Sequence, residues 1–219
     1  MSATFNRQAI QAAGGQVFVA PVPATVVGTT TAAIVKELWA KFFLDGDVRG
    51  PLIEGTKPWT IPTANGFKTK LESKTLTQQL CTGDKITLGR ENVDFEAELT
   101  VPDYDPQHLK DLLSASAGHI LTLVKSPTQD GRETFLGGGQ RAVVNFMVLY
   151  RFPGKLPGTF RHILLLNAAP SVDGDVEHNY NKPREAKAKF MCEPFDLLPD
   201  PDTGLGVKWM EDYVTELKG

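Results

Sequence analysis

The sequence predicts a mainly β protein: an antiparallel β-sandwich with one flanking α-helix, a long loop, an N-terminal arm and a C-terminal extension. Three observations lead there. Residues 93–101 alternate apolar and polar almost without a break, the period of a half-buried strand. Several further apolar runs follow, each closed by turn-forming residues. The 20 glycines and 15 prolines are scattered rather than tandem, as turns between many short strands require. A length of 219 residues fits one large all-β domain, and 41% hydrophobic residues suffice for its core. The domain is therefore read as 1–219, with extensions at both ends.

Residues 1–15, polar and small and ending in Gly14-Gly15, read as an arm. Gln16–Ala20 reads as a short strand stopped by Pro21 and Pro23. Ala32–Leu44 is ambiguous: Ile34, Leu38 and Phe42 share helical spacing, but Trp39, Phe42 and Phe43 suit a strand. The segment 45–66 carries Pro51, Pro58 and Pro62 among glycines and reads as a long loop. A loop of that length is usually functional or ordered by a neighbour. Leu52, Ile53 and Trp59, apolar residues among prolines, are expected to be buried only against another subunit.

Lys85–Leu88 reads as a short strand, followed by the alternating Glu91–Val101. There Val93, Phe95, Ala97, Leu99 and Val101 take one face; Asp94, Glu96, Glu98 and Thr100 take the other. Asp105 and Pro106 open an expected helix with an apolar stripe of Leu109, Leu112 and Leu113, closed by Gly118. Strands are expected at His119–Lys125, Arg141–Phe152, Thr159–Asn167 and Ala186–Phe195, with 126–140 as an extended connection. Arg141–Phe152 is apolar on both faces, so it is central, or one of its faces meets another subunit. The tail from Asp196 (196–219, the C-terminal extension) reads as loop, with a short helix at Val207–Leu217.

The formal net charge of −3 and the lack of a basic stripe argue against tight wrapping of nucleic acid. MSATFNRQAI lacks the basic start and apolar core of a secretory signal, and no apolar run spans a bilayer. A soluble protein made in the cytoplasm is expected. Cys81 and Cys192 match no metal or redox spacing and read as buried thiols. No Gly-x-Ser-x-Gly elbow, phosphate-cradling loop or paired histidines occur, so no catalytic residue, cofactor or metal site is assigned. Asp45-Gly-Asp47 and Asp200-Pro-Asp202-Thr-Gly204 begin like calcium loops but lack the downstream Glu, and turn chemistry accounts for both. His108, His119, His162 and His178 are dispersed and read as isolated histidines. Asp94, Glu96 and Glu98 form the one notable constellation. It is either an acidic wall that repels phosphates, or a ladder paired with Lys187 and Lys189, which alternate in AKAKF.

The succession from about Thr69 to Phe195 resembles the major tail protein, or tail tube protein, of long non-contractile-tailed bacteriophages. The resemblance lies in KLESKTLTQQ, the strand VDFEAELTV, the Asp105-Pro106-x-x-Leu109 helix entry ending in LLSASAG, the pair FMVLYRFPG and TFRHILLLNAAPS, and the late strand AKAKFMCEPF. It implies a small β-sandwich with one helix, assembled in hexameric rings that stack into a hollow conduit for DNA ejection. The arm, a long loop and the C-terminal segment would bridge successive rings. Implied partners are further copies of the chain and the tape measure, terminator and distal tail proteins. DNA would pass through without specific binding, in a virion tail assembled in the host cytoplasm. Asp94, Glu96 and Glu98 would then line the lumen, and Leu52, Ile53 and Trp59 would meet a neighbouring subunit. Open sheet edges give this a physical footing, since ring closure between subunits removes them. Rival readings are another virion β-sandwich, such as a tail terminator or capsid decoration protein, and a soluble carbohydrate- or ligand-binding module. Trp39, Trp59 and Trp209 lie in separate segments and offer such a module no platform.

Overall fold

The computed structural model describes residues 15–61, 67–72, 75–79, 85–90, 94–102, 118–123, 132–137, 144–154, 159–172 and 185–212. The strands are β1 (Gln16–Pro21), β2 (Phe67–Glu72), β3 (Thr75–Gln79), β4 (Lys85–Arg90), β5 (Asp94–Pro102), β6 (Gly118–Leu123) and β7 (Arg132–Gly137). They continue with β8 (Phe146–Pro153), β9 (Phe160–Val172), β10 (Glu185–Cys192), β11 (Phe195–Pro199), β12 (Gly206–Val207) and β13 (Trp209–Asp212). One α-helix, α1 (Thr31–Trp39), lies among them. The protein is mainly β and its strand pairs are antiparallel.

A seven-stranded sheet runs β1-β8-β9-β10-β5-β2, with β13 added to β9. Alternation decides what each face buries. Phe95, Ala97, Leu99 and Val101 of β5 are buried in one cluster with Val17, Val148, Leu165, Ala188 and Phe190. The opposite face of β1, β8 and β9 contributes Phe18, Met147, Leu149, Leu164 and Leu166 to a second cluster under α1. The strand apolar on both faces, β8, is therefore central, and both faces are covered by its own chain.

Three successive leucines, Leu164–Leu166, are all buried because the sheet is apolar on both sides here. A bulge follows. Phe146 pairs with Ala168 and Val148 with Leu165, so β9 carries one extra residue across one step of β8. The insertion resets the alternation and returns Ala168 to the Leu165 cluster. The neighbour on the other edge of β9 also changes there: β13 runs along 162–165 and β10 along 168–172. Asn167 fills the junction, accepting from Asn145 Nδ2 at 2.8 Å and donating to the Pro194 carbonyl at 3.1 Å.

The sheet coils back on itself, bringing β2 to β8. Phe67 of β2 stacks on Tyr150 of β8, ring centroids 4.4 Å apart and 15° from parallel. The outer edge of β1 is covered by residues 59–60, where Val17 N donates to Thr60 O at 3.0 Å and Trp59 N to Val17 O at 2.7 Å.

The ambiguous segment after β1 is a helix. Thr30 Oγ1 caps it by accepting from Ala33 N at 3.3 Å, and Ile34 and Leu38, one turn apart, are buried. Phe42 and Phe43 continue the buried stripe past its end. Asp45 and Gly46 then make a tight turn with φ of 57° and 68°.

Three expectations are corrected. The tail after Asp196 is not loop: β11 pairs with β12. Residues 207–212 are not helical but complete β12 and form β13, because Trp209 and Met210 face opposite clusters, a period of two. The connection 126–140 holds β7, paired to β6, and Gly118 opens β6 rather than only closing a helix. The expected helix with Leu109, Leu112 and Leu113, most of the N-terminal arm, Val93 and Cys81 lie outside the described residues.

Candidate assembly surfaces

β5 carries Asp94, Glu96 and Glu98 on the face opposite its buried residues, as alternation dictates. Both of its neighbours bring lysines to that face. On β10, Lys189 is in register with Glu98 and Lys187 with Thr100; on β2, Lys68 is in register with Glu98 and Lys70 with Glu96. Lys189 Nζ lies 2.9 Å from Glu96 Oε2, and Lys208 Nζ 3.3 Å from Asp94 Oδ1. Of the two readings this face allows, the described contacts are those of the ladder, an acidic strand flanked by basic ones. Opposite charges on neighbouring strands attract, so the pattern stabilises the sheet. Lys187 and Lys189 were legible as partners; Lys68 and Lys70 show the same alternation in FKTKLE and were missed, as was Lys208.

The loop 45–61 is fastened to its own chain. Phe43 and Leu52 form a β-bridge, and Ile53 N donates to Phe42 O at 3.0 Å. Leu52 packs in part on the cluster under α1, and Trp59 on the other cluster, edge-on to Phe190 at 6.1 Å between centroids. The expectation that these two are buried only by a neighbour is corrected: the prolines deny the loop a sheet of its own but not two docking points on the core. Ile53 stays exposed, as does nearby Leu44.

A third surface is a hairpin. β2 and β5 pair from Phe67↔Leu99 to Glu72↔Asp94, and β3 and β4 resume at Thr75↔Arg90 in nearly the same register. β5 also pairs with β10; β3 and β4 pair only with each other among the described residues. Five residues of β3 span about 16 Å at roughly 3.3 Å per residue.

The acidic loops spend their carboxylates on their own turns. Asp47 Oδ1 accepts from Arg49 N at 3.0 Å, and Asp200 Oδ1 accepts from Asp202 N and Thr203 N at 2.9 Å each. These bonds hold both carboxyls below the usual carboxylate range. Burial pushes the Cys192 thiol up to about 12, which leaves it a protonated packing group. Of the four histidines, His162 is buried, and burial with Arg151 nearby pushes its pKa down to about 4. His108 and His178 lie outside the described residues. Among the described residues no helix is long and apolar enough to cross a membrane.

Comparison with family models and with curated protein sequences gives no match.

Proposed function

We propose that this chain is a structural subunit of a bacteriophage tail tube, a tail-tube-like β-sandwich that assembles into stacked hexameric rings around a DNA conduit. The single observation that carries the reading is the β3–β4 ribbon. Among the described residues β3 and β4 pair only with each other, and a two-stranded ribbon by itself is marginal in water, so a neighbouring subunit is a natural partner for it. The resemblance of 69–195 to tail tube proteins gives that neighbour an identity: another copy of the chain. Among the described residues β2 ends the sheet order, and a terminal strand is the usual template for a strand from elsewhere. The reading does not rest on the β5 ladder, whose lysines would balance its carboxylates wherever the face lies.

Negative-stain electron microscopy of the purified protein, with light scattering across a concentration series, tests it. Rings or tubes are expected. Rings that never stack favour a terminator-like protein, and a strict monomer at every concentration overturns the proposal. Replacing 75–90 with a short turn should leave a folded subunit that no longer polymerises. If the shortened protein still forms tubes, the ribbon is not the assembly element.

A further inference from the structure

The buried side-chain nitrogens that lack a hydrogen bond among the described residues gather in one place: Arg151 Nε and both ring nitrogens of His162. Arg151 on β8, His162 on β9 and Asp212 on β13 are register partners, a row across three adjacent strands on one face. The His162 side chain is only 3% exposed. Phe43 and Trp39 close over it edge-on, at 5.0 and 6.2 Å between centroids.

The charged groups around this ring come from every side but one. Arg151 lies next to it on β8, its guanidinium stacked 3.8 Å over the Phe160 ring. Asp212 lies on β13, with Oδ2 3.9 Å from His162 Nδ1, beyond hydrogen-bond range, and its side chain is 34% exposed. Asp47 and Arg49, from the turn after α1, act on Asp212 in opposite senses. The α1 side presents the uncharged Trp39 and Phe43. A neutral imidazole is therefore held by packing alone, and a proton on it meets an apolar cover and a neighbouring cation. Burial also raises the Asp212 carboxyl, which weakens in acid the attraction it offers a charged His162.

Charging His162 requires one of its walls to give way. α1 and Phe43 are rooted in the larger cluster. β13 is four residues long and, among the described residues, pairs with β9 alone, with Trp209 also stacked on Phe95. Short segments of this kind open at the least cost. We propose that His162 is an acid-operated latch on β13: its protonation drives this strand off β9 and bares the β9 edge at residues 162–165. A bared edge of that kind accepts a strand from another chain.

The sign follows from linkage. The folded pKa of about 4 lies below the ordinary 6.5, so the open form binds the proton better. The closed form is favoured above about 6.5 and loses ground by about tenfold per pH unit as the pH falls toward 4.

Amide hydrogen exchange on the full chain, corrected for its intrinsic pH dependence, tests the latch. Amides of Trp209–Asp212 should open about tenfold more for each unit below pH 6.5, while those of Val148 and Leu149 stay protected. His162→Gln should abolish the pH dependence, and Asp212→Asn should keep it. Where His162→Gln does not fold, ring ¹⁵N signals of the wild-type histidine serve instead, and proton uptake must coincide with β13 opening. The latch is overturned if β13 exchange ignores pH, slows in acid, rises in step with β8, or behaves alike in His162→Gln.

Discussion

Gly46 and Gly55 hold nearly the same backbone twist, with φ of +68° and +82°, in opposite surroundings. A Cβ on Gly46 would run into the carbonyl oxygen of Lys36 in the last turn of α1, whereas one on Gly55 would meet open space. Gly46→Ala should therefore cost at least about 2 kcal/mol, and Gly55→Ala about 1 kcal/mol for the backbone angle alone. Thermal unfolding of both variants reads the difference as several degrees, since ~1 kcal/mol shifts a domain of this size by about 2–4 °C. Equal shifts would mean that the turn is not pressed against the helix. The Asp45-Gly46 turn was legible because Asp-Gly is local chemistry. The Lys36 contact was not, since it depends on how the turn folds back on α1. At Glu96 the pair with Lys189 is partly shielded, so Glu96→Ala should cost only about 0.5–1 kcal/mol in denaturant unfolding. Glu96→Lys should cost more, because like charges would then face each other across the pair.

At the scale of elements, strands marked by alternation or bounded by turn residues were read correctly, β1 and β4 among them, and the late ones were not. β5 declares itself over nine residues, and its buried positions are the ones alternation assigns. β12 and β13 have two and four residues, too few for any period to show, and β13 owes its place to a partner far back in the chain. The bulge in β9 is likewise invisible in TFRHILLLNAAPS, where the leucines suit either face. Trp209 ties the late strand down: its ring stacks on Phe95 of β5, centroids 4.3 Å apart and 11° from parallel. Trp209→Ala should cost about 2–4 kcal/mol, less than a fully buried tryptophan because the side chain is only half-buried. Near-ultraviolet circular dichroism of this variant should also lose part of the aromatic signal. An unchanged midpoint would show that β13 contributes little to the fold, and would weaken the latch as well.

On the scale of the whole molecule, the sheet is held in its coil by contacts between strands far apart in its order. Phe67 on β2 and Tyr150 on β8 make the most direct of these, and the Phe67 amide also donates to the Tyr150 hydroxyl. Tyr150 in turn stacks on Phe152, centroids 4.9 Å apart, so three aromatics run along the seam. None of this could be read from the chain, because Phe67 and Tyr150 are distant in sequence and no local pattern links them. If the stack closes the coil, the two rings must be energetically coupled. In a double-mutant cycle, Phe67→Ala and Tyr150→Ala should each cost about 2–3 kcal/mol. The double variant should cost about 0.5–1.5 kcal/mol less than their sum, the usual worth of an aromatic pair beyond its buried area. Tyr150→Phe keeps the ring and loses only the hydroxyl, so it should cost about 1 kcal/mol. The phenol itself reports on the seam, since burial raises its pKa above the ordinary value of 10.0. Absorbance titration should show Tyr150 ionising late in the wild type and earlier in Phe67→Ala. Additive costs in the cycle, with no late-ionising tyrosine, would mean that β2 is held by β5 alone and that the coil is not closed by this stack.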